Sequence, residues 1–237
     1  MNILIPMAGD GTRFKKEGIK IPKPLVDVMG KSMVQRVVDS LEFDASFIFI
    51  VREQHIIDFK IDELLNEIAP NCKILTTDKL TEGAACTALL AKDYINNEKE
   101  LLICDVDSLV YFDKSLLKKD GFDAAIMTFI DSKTCWSFVE SQGHLKEIFQ
   151  VAEKKPISNY ASSGRYYWKR GHDFVYYAEM MIKENFRVNG EFYISPVFNY
   201  AIKDKNKVLN IVVDKFNNLG TPEDLNEFIT QISSFDL

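Results

Sequence analysis

The feature that most constrains this chain is the alternation of short apolar runs with helical periodicity through its first hundred residues. Residues 3–7 read as a strand, 32–41 as a helix, 46–51 as a strand, 61–68 as a helix and 74–76 as a strand. Residues 84–95 then read as a helix with Ala88, Leu89, Ala91 and Ile95 inward, and 101–104 as a short buried strand. Parallel strands joined through helices need right-handed crossovers, so a sheet covered on both faces follows. Beyond residue 120 the rhythm changes. Segments 124–130, 137–140, 145–151 and 165–168 read as strands joined by polar or glycine-containing turns, an antiparallel pattern. Helices return at 173–184 and 222–232, the last with Thr221 as N-cap, Pro222 at its first position and two carboxylates in its first turn.

Composition narrows the class. With 46% hydrophobic and 27% charged residues, the 237-residue chain has the make-up of an ordinary globular protein and can bury one substantial core. A net charge of -6 speaks against a general nucleic-acid surface, because phosphate backbones are held by clustered cations. Cys72, Cys86, Cys104 and Cys135 show neither Cys-x-x-Cys spacing nor a histidine at ligand distance, so reduced thiols are expected rather than zinc or disulfides. No apolar run approaches the roughly 20 residues of a spanning helix. The first apolar stretch is short, lacks a basic start and runs into a glycine loop, so no signal peptide or membrane partner is expected and the location expected is cytoplasmic.

That loop, Met7-Ala8-Gly9-Asp10-Gly11-Thr12-Arg13-Phe14, follows the apolar strand directly and is itself followed by Pro22-Lys23-Pro24-Leu25. Glycine lets backbone N–H groups approach phosphate oxygens, a guanidinium can chelate two of them, and an ammonium adds a compact charge. The pattern reads as a polyphosphate cradle. It is neither the P-loop nor the dinucleotide fingerprint, lacking Gly-Lys-Ser/Thr and a third glycine. Asp105 stands just after the run Leu101-Leu102-Ile103-Cys104, at the carboxyl end of a strand, where ligands of open α/β sheets gather. Asp107 forms a literal Asp-x-Asp with it, and extended alternation would put both carboxylates on one side, or Asp107 would cap or face solvent. Histidines 55, 144 and 172 fit no nucleophile-activating constellation and read as surface residues.

The Gly-x-Gly-Thr-Arg loop followed by Pro-Lys-Pro-Leu resembles the sugar-nucleotide pyrophosphorylases and related nucleotidyltransferases. Further pieces agree in order: Glu82-Gly83-Ala84-Ala85, Cys104-Asp105, Glu153-Lys154-Lys155-Pro156, Gly164 with Tyr166 and Tyr167, Gly190-Glu191-Phe192-Tyr193 and Gly220-Thr221-Pro222. The resemblance implies a Rossmann-like three-layer αβα fold with a mixed, mostly parallel central sheet and an added antiparallel acceptor-binding layer. With no linker, repeat or low-complexity tract, one domain over 1–237 is expected, its 1–115 half binding nucleotide and its 116–237 half an acceptor.

The reaction implied is attack of an acceptor phosphate on the α-phosphorus of a nucleoside triphosphate, releasing pyrophosphate. The protein supplies alignment and charge neutralisation. By resemblance, Arg13 holds the β and γ phosphates and Lys23 the α-phosphate, while Met7, Ala8, Gly9, Asp10, Gly11, Thr12, Glu82, Gly83 and Ala84 surround the nucleotide. Glu82 stands where relatives reading uracil or thymine carry glutamine. A carboxylate only accepts hydrogen bonds, which suits the N4 amine of cytosine, so CTP is favoured; the bland reading is a helix-start carboxylate. Glu153, Lys154, Gly164, Glu191 and Tyr193 match acceptor-pocket positions, with Arg165 as an added cation. Trp136, Tyr166, Tyr167 and Trp168 read mainly as packing.

Magnesium is the implied cofactor, with Asp105 as one ligand and Asn218, two residues before Gly220-Thr221, as the other. Relatives often carry aspartate there, and Asp214 is the alternative. The expected activity is transfer of NMP to a small phosphorylated metabolite, a sugar phosphate or another capsule or lipopolysaccharide precursor such as a phosphorylated amino acid. A UDP- or dTDP-sugar pyrophosphorylase is the near alternative. A glycosyltransferase using Asp105-Val106-Asp107, and a non-catalytic nucleotide binder, are the distant ones. A homo-oligomer stays open.

Overall fold

The computed structural model describes residues 1–234. Its first part runs β1 (Asn2–Pro6), α1 (Thr12–Lys16), β2 (Asp27–Val28), β3 (Lys31–Ser32), α2 (Met33–Leu41), β4 (Ser46–Arg52), α3 (Glu53–Phe59), α4 (Ile61–Ile68), β5 (Lys73–Thr77), α5 (Ala84–Leu89), α6 (Lys92–Ile95) and β6 (Leu101–Cys104). The second part runs β7 (Ser108–Tyr111), β8 (Ala124–Ile130), β9 (Ser137–Ser141), β10 (Lys146–Glu153), β11 (Tyr160–Trp168), α7 (Gly171–Lys183), α8 (Val197–Lys203), β12 (Val208–Val212), β13 (Lys215–Asn218) and α9 (Pro222–Ser233).

One nine-stranded sheet carries both parts, in the order β5-β4-β1-β6-β11-β8-β12-β10-β9. The strands β5, β4, β1 and β6 are parallel, as their helical crossovers demand. The long strand β11 then runs antiparallel between β6 and β8. Because successive side chains on a strand point to opposite faces, β1 sends Ile3 and Ile5 to one core and Leu4 to the other; β6 divides Leu102 and Cys104 from Leu101 and Ile103 in the same way. The first core is closed by α2, α4 and α9, the second by α5, α6, α7 and α8. This is the three-layer α/β arrangement with a mixed sheet. The antiparallel strands extend the parallel ones edge to edge, and two short ladders, β2–β3 and β7–β13, are added.

Several local expectations need correction. The helix expected over 84–95 is two pieces, because the amides of Leu90 and Ala91 bond back three residues to Thr87 and Ala88, tightening the chain at the junction. Thr87 also bonds back to the carbonyl of Gly83, a contact that bends helices. Helix α3 lacks a side-chain cap and was not expected. Strand β12 was missed because the buried polar Asn210 interrupts its apolar run; in the fold Asn210 accepts from Thr128 on the neighbouring β8.

Where capping chemistry was legible it holds. Thr221 Oγ1 accepts from the amide of Asp224 at the start of α9. Ser32, read only as the first residue of a helix, stands outside α2 as its cap, its Oγ accepting from the amide of Gln35. Ser32→Ala leaves one helix-end donor unmet and should lower stability by about 1 kcal/mol. The expected readout is a lower urea midpoint at unchanged slope; an unmoved midpoint would show the cap to be idle.

Candidate active site

The loops that leave the carboxyl ends of β1 and β6 meet over the sheet, and the candidate residues converge there. Gly11, in the left-handed conformation at φ +63°, turns the chain into α1 and brings it beside Lys23, whose Cβ lies 3.5 Å from where a side chain on Gly11 would begin. A cleft of about 340 Å³ results, lined by Met7, Gly9, Gly11, Thr12, Arg13, Lys23, Asp105, Asp107 and Gly220. Beside it lies a cavity of about 680 Å³, whose walls include Ala84, Glu153, Lys154, Gly164, Glu191, Tyr193 and Asn218. The two share Arg13, Asp105, Asp107 and Gly220.

Lys23 is 17% exposed and is ion-paired to Asp107, with its ammonium 3.2 Å from the carbonyl of Gly220. The Asp-x-Asp alternatives are thereby resolved in geometry: Asp107 faces the cleft and the cation, not bulk solvent. Its backbone carbonyl accepts from Leu219, which ties the β6–β7 loop to the segment after β13. The β7–β13 ladder pairs Ser108 with Asn218, so Asn218 arrives at the wall of the adjoining cavity, its Oδ1 accepting from the amide of Gly220 at 3.0 Å. Asp214 lies at the far end of that ladder, bonded through its amide to Tyr111, and lines neither cavity.

Asp105 is pressed against β11. Gly164, at φ +75°, leaves space for it, since an added Cβ would lie 2.8 Å from the Asp105 carboxyl carbon. Burial, and then the neighbouring Asp107 carboxylate, push the Asp105 carboxyl up to about 7. Burial works on Asp107 in the same sense, but the charge and hydrogen bond of Lys23 outweigh it and hold Asp107 below the usual carboxylate range. In the second cavity burial raises Glu153, against the hydrogen bond from Ser195, whose hydroxyl donates at 2.7 Å. Lys154 donates to the hydroxyl of Tyr193, with its ammonium 4.4 Å from the ring centroid.

Other expected residues are placed elsewhere. Ala8 is buried in the second core, and Asp10 faces outward, paired with Lys15 at 2.6 Å. Glu82 is 66% exposed and ion-paired to Arg187, so its carboxylate lines neither cavity; Gly83 abuts the backbone of Phe192. Arg165 is corrected outright. It is fully buried behind Asp105 and contributes no cation to the acceptor cavity. Tyr167 and Trp168 are core, whereas Tyr166 and Trp136 reach the cavity wall. Reading the sequence missed Lys133, Phe216 and Asp224 on that wall, and Ser195 behind Glu153. Only Ser195 had a signal, its place two residues beyond Tyr193 on the same motif.

Residues 3–234 match the family model described as nucleotidyl transferase, and the chain belongs to that family. It is similar to the bifunctional protein GlmU of Methanocaldococcus jannaschii, 23% identical over 232 residues, covering 96% of this chain and 53% of the relative. The chain thus spans about half the length of the curated relatives it matches. Among solved structures it is similar to a nucleoside-diphosphate-sugar pyrophosphorylase from Vibrio cholerae RC9, with a TM-score of 0.85 and 25% identity over 97% of this chain and 100% of that one. A UDP-glucose pyrophosphorylase complexed with UDP-glucose shares the fold, with a TM-score of 0.80 and 18% identity over 98% of each chain.

The Asp105 carboxyl, ordinarily near 3.8 and here near 7, gives a folded-state penalty that is absent below pH 3.8, grows as the pH rises toward 7 and is complete above it. Asp105→Asn removes that penalty. In chelator-treated buffer its thermal midpoint should exceed that of the unsubstituted protein by a margin that opens between about pH 4 and 7. Equal midpoints at pH 8 would contradict a penalty from burial and from the Asp107 charge.

Proposed function

We propose that this protein transfers a nucleoside monophosphate, with CMP favoured, from a nucleoside triphosphate to a small phosphorylated metabolite and releases pyrophosphate. The observation that carries the reading is the pair of adjoining cavities that share Arg13, Asp105, Asp107 and Gly220. A transfer between two bound phosphates needs them to meet over a common, charge-neutralising floor.

In this reading the glycine loop and Arg13 bind the triphosphate, and Arg13 neutralises the departing pyrophosphate. Lys23, held 17% exposed between Asp107 and Gly220, turns its ammonium to the α-phosphate as negative charge builds there. Glu153, desolvated and oriented by Ser195, accepts from acceptor hydroxyl or amine groups, and Lys154 meets the acceptor phosphate. Gly164, Glu191 and Tyr193 complete the wall.

Two crowded carboxylates, one pushed up by burial and by its neighbour's charge, and the amide oxygen of Asn218 are hard donors suited to Mg²⁺. Among the described residues no cluster of three or more His, Cys, Asp or Glu could hold a metal, so the ion would rely on Asp105, Asn218 and substrate oxygens. When bound, it supplies charge neutralisation to the phosphates. The cytidine preference rests on Glu82. A second reading, a UTP- or dTTP-dependent sugar pyrophosphorylase, is favoured by the pairing of Glu82 with Arg187, which leaves the base to backbone groups of Met7, Ala8 and Gly9. A cell-surface glycan precursor such as a sugar phosphate or a phosphorylated amino acid is the proposed acceptor class.

Pyrophosphate release should be measured with each common triphosphate against a panel of phosphorylated metabolites, with and without Mg²⁺. Release with CTP alone supports the cytidine reading; release with UTP or dTTP alone supports the second. No release from any combination would overturn both. In the active combination, Lys23→Ala should lower kcat by about a hundredfold or more, the scale of losing a preorganised charge at a transition state. A variant within about threefold of the parent would remove Lys23 from the chemistry.

A further inference from the structure

Arg165 is a guanidinium with no exposure to solvent, and no ion pair among the described residues involves it. Burying such a charge is costly unless its N–H groups are met; the two terminal nitrogens are met here, by one loop above all, while Nε has no partner among the described residues. Nη1 donates to the carbonyl of Asp105 at 2.9 Å, to Ser108 Oγ at 3.0 Å and to the carbonyl of Gly164 at 3.2 Å. Nη2 donates to the carbonyl of Ser108 at 2.6 Å. The fork therefore grips both ends of the segment 105–108 from inside the sheet.

A bulge in β11 between Ser162 and Arg165 underlies this arrangement, with Gly164 making room for the Asp105 side chain and Arg165 registered opposite Cys104 on β6. An apolar residue at this buried position would fill the same space without fixing a carbonyl. Arg165 instead places a permanent positive charge beneath two carboxylates, of which Asp107 alone is ion-paired to Lys23. Lysine could supply the charge but not the planar fork that spans two carbonyls.

We infer that Arg165 is a positioning residue: it fixes the backbone of Asp105 and Ser108 so that the Asp105 carboxylate is presented to a divalent cation in one orientation. The inference rests on the reading of Asp105 as a metal ligand. Groups behind a ligand that orient it typically govern affinity by tenfold or more, although they never touch the ion.

The test uses Mn²⁺ as the probe, its binding to the full chain followed by electron paramagnetic resonance, with hydrogen exchange of the 105–108 amides read in parallel. Each variant is taken at a temperature where circular dichroism shows it folded. Arg165→Met should weaken Mn²⁺ binding about tenfold or more and speed exchange at 105–108 while leaving exchange elsewhere unchanged. If that chain does not fold, Arg165→Lys takes its place with the same expectation, since it retains the charge and loses the fork. Parental Mn²⁺ affinity in the folded variant, alongside lost affinity in Asp105→Asn, would overturn the inference and leave Arg165 a packing residue. Parental affinity in Asp105→Asn would instead sink the metal reading. The exchange at 105–108 then decides whether Arg165 holds the loop, faster exchange supporting it and unchanged exchange refuting it.

Discussion

The cleft is governed by the repulsion between two carboxylates two residues apart on one loop. Asp105 and Asp107 cannot both ionise cheaply in a recess, and the surrounding cations are distributed so that each answers a different part of the problem. Lys23 neutralises Asp107 directly. Arg165 acts on the backbone from below, and Arg13 stands open to both cavities. Three cations thus stand against two carboxylates, and the surplus positive charge is the electrostatic condition for taking up an anionic ligand.

The sheet explains why these charges meet. Parallel order places the loops after β1 and β6 side by side, because β6 pairs directly with β1. The ladder between β7 and β13 brings Asn218 from more than a hundred residues away. The Lys23 ammonium reaches the same place from the turn after α1, where it also lies 5.6 Å from the centroid of the buried Phe14 ring.

Much of this was legible in the sequence, for particular reasons. The parallel strands could be read because their runs are apolar on both faces, as in Leu101-Leu102-Ile103-Cys104, and the last helix because Thr221 and Pro222 mark its start chemically. The meeting of Gly11, Arg13 and Lys23 at one cleft was legible because the glycine loop and the Pro-Lys-Pro segment together match a family pattern. What stayed hidden depended on long-range contacts. Nothing local distinguishes Arg165 from a cation lining a pocket, since its burial is decided by the bulge in β11 and by Ser108, 57 residues earlier. Glu82 reads as a free carboxylate until Arg187, 105 residues later, is seen to take it. Lys133 comes to the cavity from the segment between β8 and β9 and Phe216 from β13, and neither carries a mark in its neighbours.

The continuity of the sheet through β11 has a further bearing. A nine-residue strand bonded to β6 on one side and β8 on the other rivets the parallel strands to the remainder of the sheet. The turn from Asp131 to Trp136, whose Lys133 and Cys135 are exposed on the cavity rim, can change its side chains at small cost to stability. Substitution can thus reshape the rim of the larger cavity while the charged residues at its floor stay untouched.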